Sequence, residues 1–309
     1  MSLSPDMDTG TNTDCPACGS SRRSEDQTVP DYEYGLPYRA AYLSCEDCGT
    51  TAQAPMPSPA QLAAFYPPAY HSHTNRGLLH RLRCRMRLRQ CLPLPLEDGV
   101  VLDYGCGNGA FLEYAAHALP GVRFFGYEIS PKRTVTVRRQ GRITLVEGAL
   151  EDLLDRLPAC RLISMNHVIE HLPDPQRALS ALSRMLLPGG ALVGQTPAAG
   201  SCEHRTFGSR WSGYHAPRHT IVFSRRGLRE CLTRLGFQHI RISPAFNPAG
   251  LAVSLASAVS SEPVTGIPRH GIAWLGWLAA GTWLAPFDLL SGQSGIMNFR
   301  AEKAETRSP

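Results

Sequence analysis

Four cysteines fall into two matched pairs, Cys15 and Cys18 in "CPACG", and Cys45 and Cys48 in "CEDCG". Each pair has C-x2-C spacing followed by glycine. One tight turn can then aim two thiolates at a single ion while backbone N–H groups solvate the sulfurs. Two such knuckles complete a tetrahedral four-thiolate site of the kind that holds Zn2+. No fifth ligand accompanies them, so the metal expected here is structural. The intervening "DYEYGLPYRAAYLSC" supplies aromatic, strand-forming material, as a zinc ribbon requires. Cys84, Cys91, Cys106, Cys160, Cys202 and Cys231 lack this spacing and read as small core or surface residues.

A second constellation is "VLDYGCGNGAFLEY", Val101 to Tyr114. Glycines directly after an apolar strand let backbone approach a ligand where any Cβ would collide. A nicotinamide dinucleotide is the first competitor, but its fingerprint reads G-x-G-x-x-G and faces a pyrophosphate. Here Asp103 precedes the glycines, and a carboxylate at that place repels pyrophosphate and attracts an ammonium group. Glu128, ending the next strand about twenty residues on, suits the two hydroxyls of a ribose. Adenosine joined to an amino acid is S-adenosylmethionine, and charge selects that cofactor.

The elements that must position these residues follow from the hydrophobic rhythm. From Gly99, apolar strands alternate with amphipathic helices: "GVVLDYG", "NGAFLEYAAHAL", "VRFFGYEIS", "PKRTVTVRRQ", "ITLVEGALEDLLDRL", "RLISMNHVIEHL", "DPQRALSALSRML" and "GGALVGQTP". Such repeats predict an α/β fold with a doubly wound parallel sheet, whose ligands bind at the carboxyl ends of its strands. The chain's 309 residues, 43% hydrophobic and 18% charged, suit a globular protein with room for one large and one small domain. The net charge of +5 is too modest to indicate nucleic acid as a partner. The polar opening "MSLSPDMDTGTNTD" has no apolar core or cleavage site, so a cytoplasmic protein with reduced thiols is expected.

"VLDYGCGNGAFL", "GYEIS", "NHVIEHLPDPQRAL" and "LLPGGALVGQTP" resemble, in order, the motifs of class I S-adenosylmethionine-dependent methyltransferases. They are most similar to the branch with an E-H signature after strand four, which includes the ubiquinone-pathway O-methyltransferases. "FGSRWSGYHAPRHTIVFSRRGLRECLTRLGF" resembles a subgroup of bacterial saccharide, lipid and natural-product pathways, some of whose members carry an N-terminal cysteine-rich ribbon. The resemblance covers Gly99 to Ile242 and the last strand. It implies a Rossmann-like sheet that is parallel apart from an antiparallel last strand. It implies that Asp103 holds the methionine ammonium group, that Gly105, Cys106 and Gly107 approach the cofactor through backbone, and that Glu128 binds the ribose. Ile129 and the Leu150 backbone, with Glu151 or Asp152, would meet the adenine. Asn166 and His167 would border the methionine part.

For an oxygen acceptor, a methyltransferase needs a base with a pKa near working pH, and histidine suits. Candidates are His167 and His171, then His204, His215 and His219 in "EHRTFGSRWSGYHAPRHT", a loop that should overlie the acceptor. His171, His215 and Tyr214 are the expected catalytic residues. His171 has an alternative use, orienting the helix that follows it. Arg218 either binds an acidic acceptor or braces the loop.

Three regions follow from this reading: a zinc-ribbon region over 1–58, a helical linker over 59–98, and the S-adenosylmethionine-binding domain over 99–309. Within the linker, "SPAQLAAFY" has a Ser cap and an early proline, and "LLHRLRCRMRLRQCL" reads as an Arg-rich helix. That helix either packs on the next domain or offers arginines to anionic headgroups, phosphate or RNA. "FQHIRIS" and "GIMNFRAEK" read as the last two strands. Between them, at about 244–293, lies an apolar insertion too long for a hairpin loop. Its glycines, proline and late acid argue against a membrane span, leaving a cap over the acceptor, a homodimer contact, or peripheral membrane docking. The expected function is methylation of a small-molecule acceptor: a saccharide, natural product or lipid-linked intermediate. An RNA or protein methyltransferase, or a scaffold without activity, are the alternatives.

Overall fold

The two cysteine knuckles are joined by strands β1 (Arg23–Pro30) and β2 (Arg39–Cys45), and β3 (Thr51–Gln53) follows the second knuckle. The computed structural model describes residues 14–66, 78–91, 96, 99–128, 141–146, 157–259 and 272–305. The three strands form an antiparallel sheet whose fourth member comes from far along the chain. This is β9 (Ile221–Val222), which pairs with β3 through Thr51↔Val222 and Ala52↔Ile221. Helix α1 (Pro59–Ala64) begins at Ser58, where the Ser58 hydroxyl and the Gln61 amide cap each other's backbone N–H. Helix α2 (Leu78–Cys91) is the Arg-rich segment.

A seven-stranded sheet follows, built from β4 (Val100–Tyr104), β5 (Arg123–Tyr127), β6 (Ile143–Val146), β7 (Cys160–Asn166), β8 (Leu186–Pro197), β10 (Phe237–Pro244) and β11 (Ile296–Lys303). Their order is β10-β11-β8-β7-β4-β5-β6. β11 runs antiparallel to both neighbours, and the remaining pairs are parallel. This is the expected Rossmann-like sheet with its reversed last strand. Every residue of β4 is buried, as a central strand covered on both faces requires.

Helices α3 (Ala110–Ala118), α4 (Pro175–Met185) and α6 (Arg225–Arg234) cover the sheet. The last two start on side-chain caps from Asp174 and Ser224, and α4 buries Ala178, Leu179, Leu182 and Met185 at helical spacing. Short α5 (Cys202–Phe207) follows β8. The apolar insertion forms a helical hairpin, α7 (Pro248–Val259) and α8 (Ile272–Leu290), placed between β10 and β11 as the sequence indicates. Among the described residues, no helix is long and apolar enough to cross a membrane.

The ribbon region does not stand apart. Besides the β3–β9 pairing, Gln176 donates to the Pro16 carbonyl at 2.8 Å and Ser224 donates to the Cys48 carbonyl. A buried bidentate ion pair joins Arg218 to Asp31 at 2.8 and 2.9 Å. Contacts thus join the ribbon region to the Rossmann-like sheet and its loops across residue 58.

Candidate functional site

The glycine turn at the carboxyl end of β4 is held by the neighbouring strand. The N–H groups of Gly105 and Cys106 both donate to the Tyr127 carbonyl, at 2.7 and 2.9 Å. Gly105 has φ +79°, and a Cβ there would meet Val168 Cγ2 at 2.3 Å. The glycine is thus demanded by the fold itself as well as by any ligand. Gly107 donates its N–H to Glu128 Oε2 at 2.5 Å, so the acid at the end of β5 is oriented by the turn it was expected to face.

Asp103 lies fully buried beside this turn. Its Oδ1 accepts from Ser164 Oγ at 2.7 Å and from the Arg87 guanidinium. Arg87 also donates to Ser164 at 2.9 Å and lies over the Phe111 ring, 4.0 Å from its centroid. Asp103 Oδ2 and Asn166 Nδ2, at the ends of adjacent strands, are buried with no hydrogen-bond partner among the described residues. Unpaired polar atoms inside a protein are costly, and two together mark a place prepared for a polar ligand. An acceptor atom, a donor atom and a guanidinium at one edge fit the ammonium and carboxylate of an amino acid. The site therefore accommodates the methionine end of the expected cofactor. Sequence reasoning missed Arg87, because the alternation of arginine along α2 gives no means of choosing among its members. Ile129 and Leu150, expected at the adenine, lie outside the described residues.

A second cluster is built around Glu170, the acid of the E-H pair, which is completely buried. Its Oε1 accepts from His167 Nδ1 at 3.1 Å and its Oε2 from Thr196 Oγ1 at 3.0 Å. Its backbone carbonyl accepts from the Thr220 N–H at 2.8 Å, which pins the histidine loop. Burial would raise this carboxyl, but His167 and His171 outweigh it and hold it below the usual range. His167 also contacts Gln195 Oε1 through Nε2 at 3.1 Å.

Three of the other candidate histidines touch one another: the His171 and His219 ring centroids are 4.6 Å apart, and the His215 and His219 centroids 5.0 Å. His171 Nδ1 lies 3.1 Å from the Arg218 carbonyl and 3.0 Å from the Tyr66 hydroxyl. The carbonyl accepts and the hydroxyl can donate or accept, so Nδ1 is the ring nitrogen that these two groups engage. Burial pulls the His171 imidazole down to about 4. His219 is fixed the same way, donating from Nδ1 to the Gly213 carbonyl at 2.8 Å, and burial followed by His171 and His215 holds it well below its ordinary value. Glu170, His171 and His219 bring one ligand atom each within 4.8 Å of one another, a set able to share a proton or hold a cation.

The other two residues expected at the acceptor, His215 and Tyr214, are both tied to the N-terminal region. His215 has both ring nitrogens engaged, Nδ1 with Glu33 Oε2 at 2.5 Å and Nε2 accepting from Arg218 Nε at 2.9 Å. Tyr214 is fully buried, donates to Asp26 Oδ2 at 2.7 Å and contacts His204 Nε2 at 2.8 Å. Both side chains brace the loop against the ribbon, and Arg218 does the same through Asp31. Asp26, Asp31 and Glu33 come from the N-terminal region, whose acids carried no sequence pattern that pairs them with a loop so distant.

At the knuckles, Cys15 Sγ is 3.6 Å from Cys48 Sγ and Cys18 Sγ is 3.5 Å from Cys45 Sγ, with all four sulfurs within 4.8 Å. These distances approach the edge, about 3.8 Å, of a tetrahedron with metal–sulfur bonds of about 2.3 Å. Gly19 and Gly49, at φ +77° and +75°, close the two turns, their N–H groups donating to the Cys15 and Cys45 carbonyls at 2.8 Å. The residues present fit a four-thiolate metal.

Comparison with known proteins agrees with this geometry. The model of a methyltransferase domain matches residues 76–242, just over half of the chain. A ubiquinone biosynthesis O-methyltransferase of Xylella fastidiosa is 33% identical over 109 residues, covering 33% of this chain and 44% of that protein. Its namesake in Xanthomonas oryzae is 30% identical over 116 residues, covering 34% and 48%. The chain thus spans less than half the length of these curated relatives. Among solved structures, Haemonchus contortus phosphoethanolamine N-methyltransferase 2, in complex with S-adenosyl-L-methionine, has a TM-score of 0.50 at 16% identity, covering 79% of this chain and 57% of that one. That likeness concerns the fold alone. With the domain match, the strand order and the Asp–Gly turn in agreement, the chain belongs to the methyltransferase-domain family of class I S-adenosylmethionine-dependent proteins.

Proposed function

We propose that this protein transfers a methyl group from S-adenosylmethionine to an oxygen of a small-molecule acceptor, and that its four-cysteine cluster holds a structural Zn2+. The observation that carries the reading is buried Asp103 paired with half-buried Arg87, beside an Asn166 Nδ2 that has no partner among the described residues, a charge pattern complementary to a zwitterion. When bound, the cofactor supplies an electrophilic methyl on a positively charged sulfur. The residues of this chain orient it: Asp103 toward the ammonium, Arg87 toward the carboxylate, and Glu128 toward the ribose. Positioning of this kind provides much of the rate in a displacement reaction. The lone pair on His171 Nε2 takes the acceptor proton.

A small acceptor is favoured over RNA or protein because β3, the strand of the ribbon sheet nearest the domain, is already paired with β9. The ribbon serves as a wall for the histidine loop. The O-methyltransferase names of the relatives support oxygen as the receiving atom. Saccharides, natural products and lipid-linked intermediates remain the acceptor classes to screen.

Calorimetric titration with S-adenosylmethionine tests the cofactor. Low-micromolar binding is expected, weakened about tenfold or more in Asp103→Ala and Glu128→Ala, since each removes a hydrogen bond to a charged group worth about 1.5–3 kcal/mol. Well-folded protein that binds neither S-adenosylmethionine nor S-adenosylhomocysteine would overturn the reading.

A further inference from the structure

The α7–α8 hairpin is apolar on its outside. Helix α8 turns small residues inward: Gly281 and Ala285 are buried, and a Cβ on Gly281 would meet the Pro248 carbonyl at 2.3 Å, so the two helices cross closely. Trp274, Trp277, Leu278, Leu284 and Leu289 are half-buried, and five large apolar side chains face outward. Ile272, Leu275, Ala279, Trp283, Phe287 and Leu290 recur at helical spacing on the exposed side. Ile272 is 91% exposed, Trp283 69% and Leu290 83%. The helix is thus apolar on its solvent side as well as its inner side, where a surface helix ordinarily carries polar residues.

The chemistry of the stripe decides what can cover it. Neither helix contains Lys, Arg or Glu, and the single acid, Asp288, is turned back toward the protein. There its Oδ2 accepts from the Gly295 N–H at 3.3 Å and it faces the Glu203 carboxyl. The one hydroxyl beside the stripe, Thr282, donates to the Leu278 carbonyl of its own helix at 2.6 Å. A protein partner, including a second copy of this chain, forms about one hydrogen bond per 100–200 Å² of interface, and these side chains offer almost none. Hydrocarbon asks for none. Trp283 and Phe287, packed together with ring centroids 5.5 Å apart, are residue types found on the inserted face of helices that lie in the membrane plane.

We propose that the outer face of α8 docks on a lipid bilayer, lying in the membrane plane with its large side chains in the interfacial layer. The helix is not of a length and hydropathy to span, and an in-plane helix leaves β10 and β11, which flank the hairpin, paired on one side of the membrane. This inference is independent of the methyl-transfer reading.

The test is flotation of the full chain with vesicles of phosphatidylcholine, and of phosphatidylcholine with phosphatidylglycerol, at low and high salt. Most of the protein should float with both vesicles and remain bound at high salt, because apolar insertion is not screened. In the triple variant Leu275→Gln, Trp283→Gln, Phe287→Gln, recovery should fall by roughly tenfold or more. All three positions are exposed, so the melting curve should be retained, and single Trp283→Gln serves if it is not. Wild-type protein that stays in solution, or a folded variant that floats equally well, overturns the proposal. So does binding confined to anionic vesicles and lost at high salt, which would assign docking to arginines. A wild-type dimer that the variant converts to monomer, with neither floating, would assign the face to a second copy.

Discussion

His171 and His215 show how partners decide what a residue type can do. Both were candidates for the base, yet His215 is held at both nitrogens by Glu33 and Arg218, while among the described residues the hydrogen bonds of His171 are at Nδ1. A base must keep a lone pair free for its substrate; in the proposed mechanism Nε2 of His171 supplies it, from an imidazole that burial makes a far weaker base than one titrating near working pH. Its pKa, pulled down to about 4 by burial, sets the pH dependence. In the free enzyme the imidazole is neutral above that value and protonated below it. The acid limb of kcat/KM should therefore fall near pH 4 rather than near the ordinary histidine value of 6.5, and should vanish with the activity in His171→Ala. A limb near 6.5, or full turnover in His171→Ala, would remove His171 from the mechanism.

Between elements, one buried carboxyl ties the short helix after β8 to the end of the insertion. Glu203 of α5 accepts from the Gly295 N–H at 3.2 Å beside Asp288 of α8, and burial first, then Asp288, pushes its pKa up to about 8. An acid whose folded pKa lies above its unfolded value binds more protons in the folded state. Its stabilising contribution is whole below the unfolded value of 4.5 and is lost as pH rises through about 8. Denaturant titration across that range should show stability declining with pH. Glu203→Gln, which mimics the protonated acid, should flatten the decline; an unchanged slope would show that another group causes it. A second inter-element contact is the Arg218–Asp31 pair, both members wholly shielded from solvent. Arg218→Met strands a buried carboxylate and should cost about 3–5 kcal/mol by denaturant unfolding. A cost near zero would mean that Asp31 finds water or a proton without strain.

At the scale of the molecule, the cysteine cluster and the histidine loop form one body. Ser224 caps α6 and donates to the Cys48 carbonyl, while a Cβ on Gly227 would lie 2.0 Å from Thr50 Oγ1 and 3.0 Å from Cys48 Sγ. Tyr42 from β2 donates to the His219 carbonyl at 2.7 Å, and Gln53 from β3 to the Pro217 carbonyl at 2.8 Å. Metal analysis should find one equivalent of zinc. Stripping it should do more than loosen the first residues of the chain. The near-ultraviolet circular dichroism of buried Trp211 should change with it, and the melting temperature should fall, because folding energy from a structural zinc is shared by whatever packs on it. An unchanged Trp211 signal after full zinc removal would show the ribbon to be energetically separate.

What the sequence by itself determined is whatever is written in local spacing. The strand–helix alternation after Gly99 specifies the sheet, because burial on one or two faces imposes periods of two or 3.6 residues. C-x2-C-G specifies the knuckles, and D-x-G-x-G the turn, because each is a short loop whose backbone geometry depends on neighbours. Tertiary structure decided which arginine of α2 meets Asp103, that β9 completes the ribbon sheet, and that Tyr214 meets Asp26 while His215 meets Glu33 and Arg218. It also decided that α8 turns Gly281 inward and Trp283 outward. Each of these depends on side chains brought together from distant parts of the chain, as Tyr42 and His219 are across 177 positions. No local period records such a meeting, since it exists only once the sheet has closed and burial has chosen the partners.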